Sequence, residues 1–297
     1  MTDLATKNNT IKNREYNLAK NRLYMDCYRD MQSDKLVLPT IPDVAQRIRK
    51  AINDNNANSN TISRVVQTDP SITARLIKIA NSPLYRGRRK IESCPEALTR
   101  LGIKTAQDII TAFAMKAIFT AKSPTINRKM TELWSHSSYV AAISAVFAHK
   151  TPGFDPDRAM LAGLIHDIGI VPILAHADKH SQITSSPKDL AETVKQLRSE
   201  IGVQIIRKWD FPRDFEDVVI HAENWYRDTK PEPDYTDIVM IAQLHSYIGK
   251  VDIKKMPKLD TLPAYKKLVA GNLDMDTSIN ILDLAKDEIE QIQQMLG

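Results

Sequence analysis

Apolar residues recur every three to four positions through most of this chain, and polar or proline-bearing breaks separate the runs. Ile72, Leu76, Ile77 and Ile79 follow Asp69-Pro70, a start signal that joins an N-cap side chain to proline in the first turn. Asn81-Ser82-Pro83 ends that run. Asp155-Pro156 and Ser186-Pro187 repeat the signal, and residues 105–121, 127–150 and 158–170 carry further apolar periods of 3.6 residues. No segment alternates strictly between Asn-Gly or Asp-Gly turns, as a hairpin would. The pattern predicts an all-α fold.

The breaks suggest an order of units. Residues 1–35 are polar and rich in Lys, Arg and Asn, yet Tyr16, Leu18, Leu23, Tyr24, Cys27, Tyr28 and Met31 stand at helical intervals, which predicts a docked N-terminal helix. Pro124 disfavours helix at the residue before it, so residues 120–124 form the expected joint between helical subdomains at 36–124 and 125–250. The tail, 251–297, is expected to close with an amphipathic helix across 279–296, carried by Ile281, Leu282, Leu284, Ile289 and Ile292.

Composition narrows the class. At 297 residues and 42% hydrophobic, the chain can bury a sizeable, mostly aliphatic core. Its longest apolar stretch, 159–175, is broken by His166, Asp167 and Pro172 and falls short of the roughly 20 residues that a spanning helix needs. No basic-then-apolar leader with a cleavage site is visible at the N-terminus. Cys27 and Cys94 are far apart and lack metal-ligand spacing, which suits a reducing cytoplasm. The expectation is a cytoplasmic protein without a membrane span.

A formal charge of +5 favours anionic partners. Tyr85-Arg86-Gly87-Arg88-Arg89-Lys90 concentrates four cations, and arginine forks match phosphate oxygens, so a nucleotide is one candidate ligand for Arg86, Arg88, Arg89 and Lys90. A solvated loop is the competing reading. Tyr85 is the single aromatic beside these cations, so nucleic acid is not the expected partner.

The chemistry concentrates in Leu161-Ala162-Gly163-Leu164-Ile165-His166-Asp167-Ile168-Gly169, where an imidazole and a carboxylate interrupt an apolar run. Burying both is costly unless they pair, hydrogen-bond or hold a metal. Thirty residues upstream, Leu133-Trp134-Ser135-His136-Ser137-Ser138-Tyr139 offers a second histidine on an apolar pattern. Two readings stay open, a divalent metal site and a polar network that fixes helix register. His149, His176 and His180 stand near helix ends or polar loops and are expected to be solvated or capping.

These segments resemble the HD superfamily of metal-dependent phosphohydrolases, in which a histidine, a His-Asp pair and a distant aspartate hold a divalent cation. His136, His166 and Asp167 match the first three positions, and Gln243 stands where the resemblance places the fourth. Upstream, Leu38-Pro39-Thr40-Ile41-Pro42, Thr68-Asp69-Pro70, Ile79-Ala80-Asn81-Ser82, Tyr85 and Ala97-Leu98-Thr99-Arg100-Leu101-Gly102 are similar, in order and spacing, to the bacterial HDOD domain. That likeness covers residues 36–250 and implies a helical bundle of HD type. It also implies a signalling module without hydrolase activity that works through protein partners. Gln243 agrees, since its neutral amide removes one negative ligand. Many relatives carry a double histidine at Val219-Ile220-His221-Ala222-Glu223, whereas this chain keeps only His221, a weaker ligand candidate. The alternative is a phosphohydrolase acting on nucleotides or cyclic dinucleotides.

Overall fold

The helix-start signals are realised as capping hydrogen bonds in a computed structural model, which describes residues 18–52, 59–82, 85, 87–179, 186–248, 256–270 and 286–296. Among these residues there is no strand, and the chain is all-α. The N-terminal part contributes α1 (Arg22–Gln32), α2 (Asp43–Ile52), α3 (Ser59–Val66), α4 (Pro70–Ala80), α5 (Cys94–Leu101) and α6 (Ile103–Met115). The second part contributes α7 (Pro124–Lys150), α8 (Pro156–Ile165), α9 (Ile170–Lys179), α10 (Pro187–Lys208), α11 (Arg213–His221) and α12 (Tyr235–Ser246). Among the described residues that follow are α13 (Pro263–Ala270) and α14 (Lys286–Leu296).

Asp69 accepts hydrogen bonds from the amides of Ser71 and Ile72, Asp155 from those of Asp157 and Arg158, and Ser186 from that of Asp189. Each cap satisfies amides that the first turn leaves without a helical partner. Pro124 opens α7 from the Ser123 cap. The Asp178 carboxylate accepts from the amides of Lys122 and Ser123 at 2.8 and 3.1 Å, tying the 120–124 segment to the end of α9.

Helices α7, α8 and α12 form the centre. Every residue of α12 from Thr236 to Ser246 is buried, as are Ala159 to Ile165 of α8. Helix α6 joins the N-terminal helices to α8, and α10 packs between α1 and α11. One hydrophobic core runs from Leu23 of α1 through all three central helices to Leu296 of α14. Leu23, Cys27 and Met31 turn inward from α1, while Tyr28 is exposed. Ile289 and Ile292 of α14 are buried as the pattern predicts; Ile281, Leu282 and Leu284, like Tyr16, lie outside the described residues.

Two helical runs end earlier than their apolar pattern. Residues 105–121 give a helix only to Met115, followed by a 3-10 turn at Lys116–Ile118. Residues 158–170 divide at Ile165, because amide bonds from Ile168 to Ile165 and from Ile170 to Asp167 tighten the backbone into a turn. The His-Asp pair therefore sits on a bend between α8 and α9. Together these helices make Pro156–Lys179 long and apolar enough to cross a membrane, but 89% of its most apolar window is buried inside the protein.

Candidate metal centre

Two glycines let the backbone bring the candidate ligands together. A Cβ on Gly163 would stand 2.8 Å from the Ala141 Cα and from Ser144 Oγ, so α8 lies against α7 closer than any side chain permits. A Cβ on Gly169 would stand 1.9 Å from the carbonyl oxygen of Arg198, so the bend presses on the backbone of α10. The first contact sets His166 beside His136. The second sets Asp167 beside Arg198.

The His136, His166 and Asp167 ligand atoms lie within 4.8 Å of one another. The imidazoles meet edge-on with centroids 5.2 Å apart. His166 Nδ1 is 2.7 Å from the carbonyl oxygen of Gly163. A carbonyl only accepts, so Nδ1 carries a proton and Nε2 is the nitrogen turned to the cluster. It stands 3.2 Å from Asp167 Oδ2, and His136 Nε2 stands 3.9 Å from the same oxygen. Both imidazoles therefore face the same carboxylate oxygen.

The other Asp167 oxygen is already engaged. Arg198 Nη1 lies 2.5 Å from Asp167 Oδ1, and Nη2 lies 2.7 Å from Glu223 Oε2. Burial opposes ionisation of Asp167, but His166, Arg198 and His136 outweigh it and hold the carboxyl well below its ordinary range. Burial pushes the Glu223 carboxyl up, against the pull of Arg198.

Gln243 is fully buried on α12, where its Nε2 donates to the Tyr247 hydroxyl at 3.1 Å. The Tyr247 ring stacks on His136 at 5.7 Å. Gln243 therefore meets the trio through Tyr247, and among the described residues its Oε1 has no hydrogen-bond partner. His221 does not join: the charges around it are those of Arg227, Asp217 and Asp234, and among the described residues the grouped ligands are His136, His166 and Asp167. Helix α11 ends there, and it is Glu223, two residues on, that reaches the cluster.

Sequence reasoning missed Arg198, Glu223 and Tyr247. Gly202 was the available signal, since it stands one helical turn after Arg198 and a Cβ there would meet Val219 Cβ at 3.2 Å, which marks a close approach of α10 to α11. His176 is also corrected: it is buried, with Nδ1 3.8 Å from Asp30 Oδ2, because α1 covers it. His180 lies outside the described residues. The basic loop divides similarly. Arg86 lies outside the description, Arg88 and Lys90 are exposed, and Arg89 pairs with Glu96 at 2.7 Å. Tyr85 directs its hydroxyl to Asp157.

Two imidazoles and a carboxylate suit a transition ion in kind. The charge does not suit a resident dication, because Asp167 is the one anionic ligand of the trio and Arg198 already pairs with it.

Solved structures share this architecture. A protein from Shewanella amazonensis SB2B, provisionally named a metal-dependent phosphohydrolase, matches 93% of this chain and 98% of its own, with a TM-score of 0.76 and 24% identity. An HDOD domain protein of unknown function from Geobacter sulfurreducens matches 94% and 98%, with a TM-score of 0.64 and 21% identity. A provisionally named signal transduction protein from Marinobacter aquaeolei VT8 matches 89% and 61%, with a TM-score of 0.56 and 19% identity. Among curated proteins, an uncharacterized protein of Treponema pallidum (strain Nichols) is 23% identical over 189 residues. That match spans 59% of this chain and 35% of the relative. The HDOD domain family model matches residues 38–225, nearly two thirds of the sequence, and the chain belongs to the HDOD family.

Proposed function

We propose that this protein is a bacterial, cytoplasmic regulatory module that signals through protein partners or a bound nucleotide second messenger and does not turn over a substrate. The observation that carries the reading is the engagement of Asp167 by Arg198, with Gln243 supplying a neutral amide where a carboxylate as fourth ligand would add charge. Metal-assisted hydrolysis needs a cation that lowers the pKa of a bound water and an open position on that cation. A carboxylate already paired to a buried guanidinium is a poor anchor for it. Free Cys27 and Cys94, both buried, support the reducing compartment.

A second reading, a metal-dependent phosphohydrolase acting on nucleotides or cyclic dinucleotides, draws support from His166 Nε2 and Asp167 Oδ2 facing one another. If a dication were bound, His136, His166 and Asp167 would hold it, and it would supply Lewis-acid activation of water. The test is a hydrolysis screen of the purified protein with Mn2+, Co2+ and Mg2+. No turnover above that of His166→Ala is expected. Turnover that both His166→Ala and Asp167→Ala abolish would overturn the regulatory reading.

A further inference from the structure

We propose that Arg198 is the resident cation of this site: by bridging Asp167 and Glu223, its guanidinium takes the charge-neutralising place of a dication and lowers the cluster's affinity for metal. The bridge is held from both sides. Arg198 is itself nine-tenths buried, Asp167 is its buried partner with 7% of its side chain exposed, and Glu223, at 46%, is its partner at the rim.

Backbone contacts enforce the placement. Because the bend at Gly169 touches the Arg198 carbonyl, the root of this side chain cannot retreat from Asp167 without opening the contact between α10 and the bend. The guanidinium fork spends one nitrogen on each carboxylate, a geometry that lysine cannot copy.

Charge bookkeeping gives the direction of the effect. Two carboxylates and one guanidinium leave a single formal negative charge across the bridge. A dication would leave the cluster positive, and Gln243 offers no anion to absorb the excess. Like charges held close in a poorly solvated site repel strongly, so the dication and Arg198 compete for Asp167. Glu223 limits that competition, since Arg198 can keep this partner when Asp167 turns to a metal.

The inference concerns ion affinity and not turnover, so it goes beyond the regulatory reading and can fail while that reading stands. Co2+ titration of the full chain, followed by visible absorption, tests it. Arg198→Met keeps bulk and removes charge, and it should bind Co2+ about tenfold or more tightly than the wild type, the scale on which groups behind a ligand tune metal affinity. Adding His166→Ala should remove the gain. Equal or weaker binding by Arg198→Met overturns the proposal, as does a gain that survives His166→Ala. If Arg198→Met does not fold, Glu223→Gln decides, because it leaves Asp167 as the guanidinium's single carboxylate partner. Weaker Co2+ binding than the wild type is then expected, and unchanged or tighter binding overturns the proposal.

Discussion

Arg198 crosses from α10 to place Nη1 2.5 Å from Asp167 Oδ1, so one oxygen of the His-Asp carboxylate is held by a guanidinium while the other faces two imidazoles. Removing one partner of a buried pair leaves the other charge poorly compensated. Arg198→Ala should therefore lower unfolding stability by about 3 kcal/mol. In urea unfolding, the double variant Arg198→Ala/Asp167→Ala should lose clearly less than the two single losses together, because the second change removes the stranded charge. Additive losses would show that the two groups do not act as a pair.

The bend that carries the pair should be the least tolerant part of the site. A methyl on Gly169 would meet the Arg198 carbonyl at 1.9 Å, and backbone there cannot yield as a flexible side chain can. Gly169→Ala should cost about 3 kcal/mol or more, by forcing α9 and α10 apart. Gly163→Ala meets its neighbours at 2.8 Å and should cost less. Thermal melts rank the two, and the reverse order would contradict the packing described.

A pH dependence is expected from the far side of α8. Burial pushes the Asp157 carboxyl up to about 7, against the hydrogen bond from Tyr85, and the neighbouring Asp108 up to about 6, also by burial. A carboxyl whose folded pKa is raised binds its proton more tightly in the native state. Its contribution is fully present below the ordinary value of 3.8 and is lost as pH rises through about 7. Asp157→Asn mimics the protonated group, so its melting temperature relative to the wild type should rise between about pH 5 and about pH 8. A difference that stays constant across that interval would contradict the assignment.

Legibility in the sequence followed the range of each interaction. Helix starts such as Asp69-Pro70 and Asp155-Pro156 were readable because a cap joins residues two or three apart. The trio was readable because His136, His166 and Asp167 fall inside apolar helical patterns and match motifs in order. The break after Ile165 was not, since apolar residues continue on both sides of it through Ile168, Ile170 and Val171, and it is contact with α10 across Gly169 that accompanies the bend. Arg198 and Glu223 lie 31 and 56 positions beyond Asp167, and an arginine beside Leu197 reads as an ordinary surface residue until α10 is placed. His221 shows the opposite error: the motif pointed to the right segment, but the turn after α11 presents Glu223 to the cluster.

Elemental analysis of protein purified without chelator or affinity metal, beside His166→Ala prepared identically, tests the account most directly. If Arg198 supplies the charge that a metal would, both proteins should carry far less than one equivalent of any transition ion. Near-stoichiometric metal in the wild type that His166→Ala loses would contradict it, and would make His136, His166 and Asp167 a working metal centre.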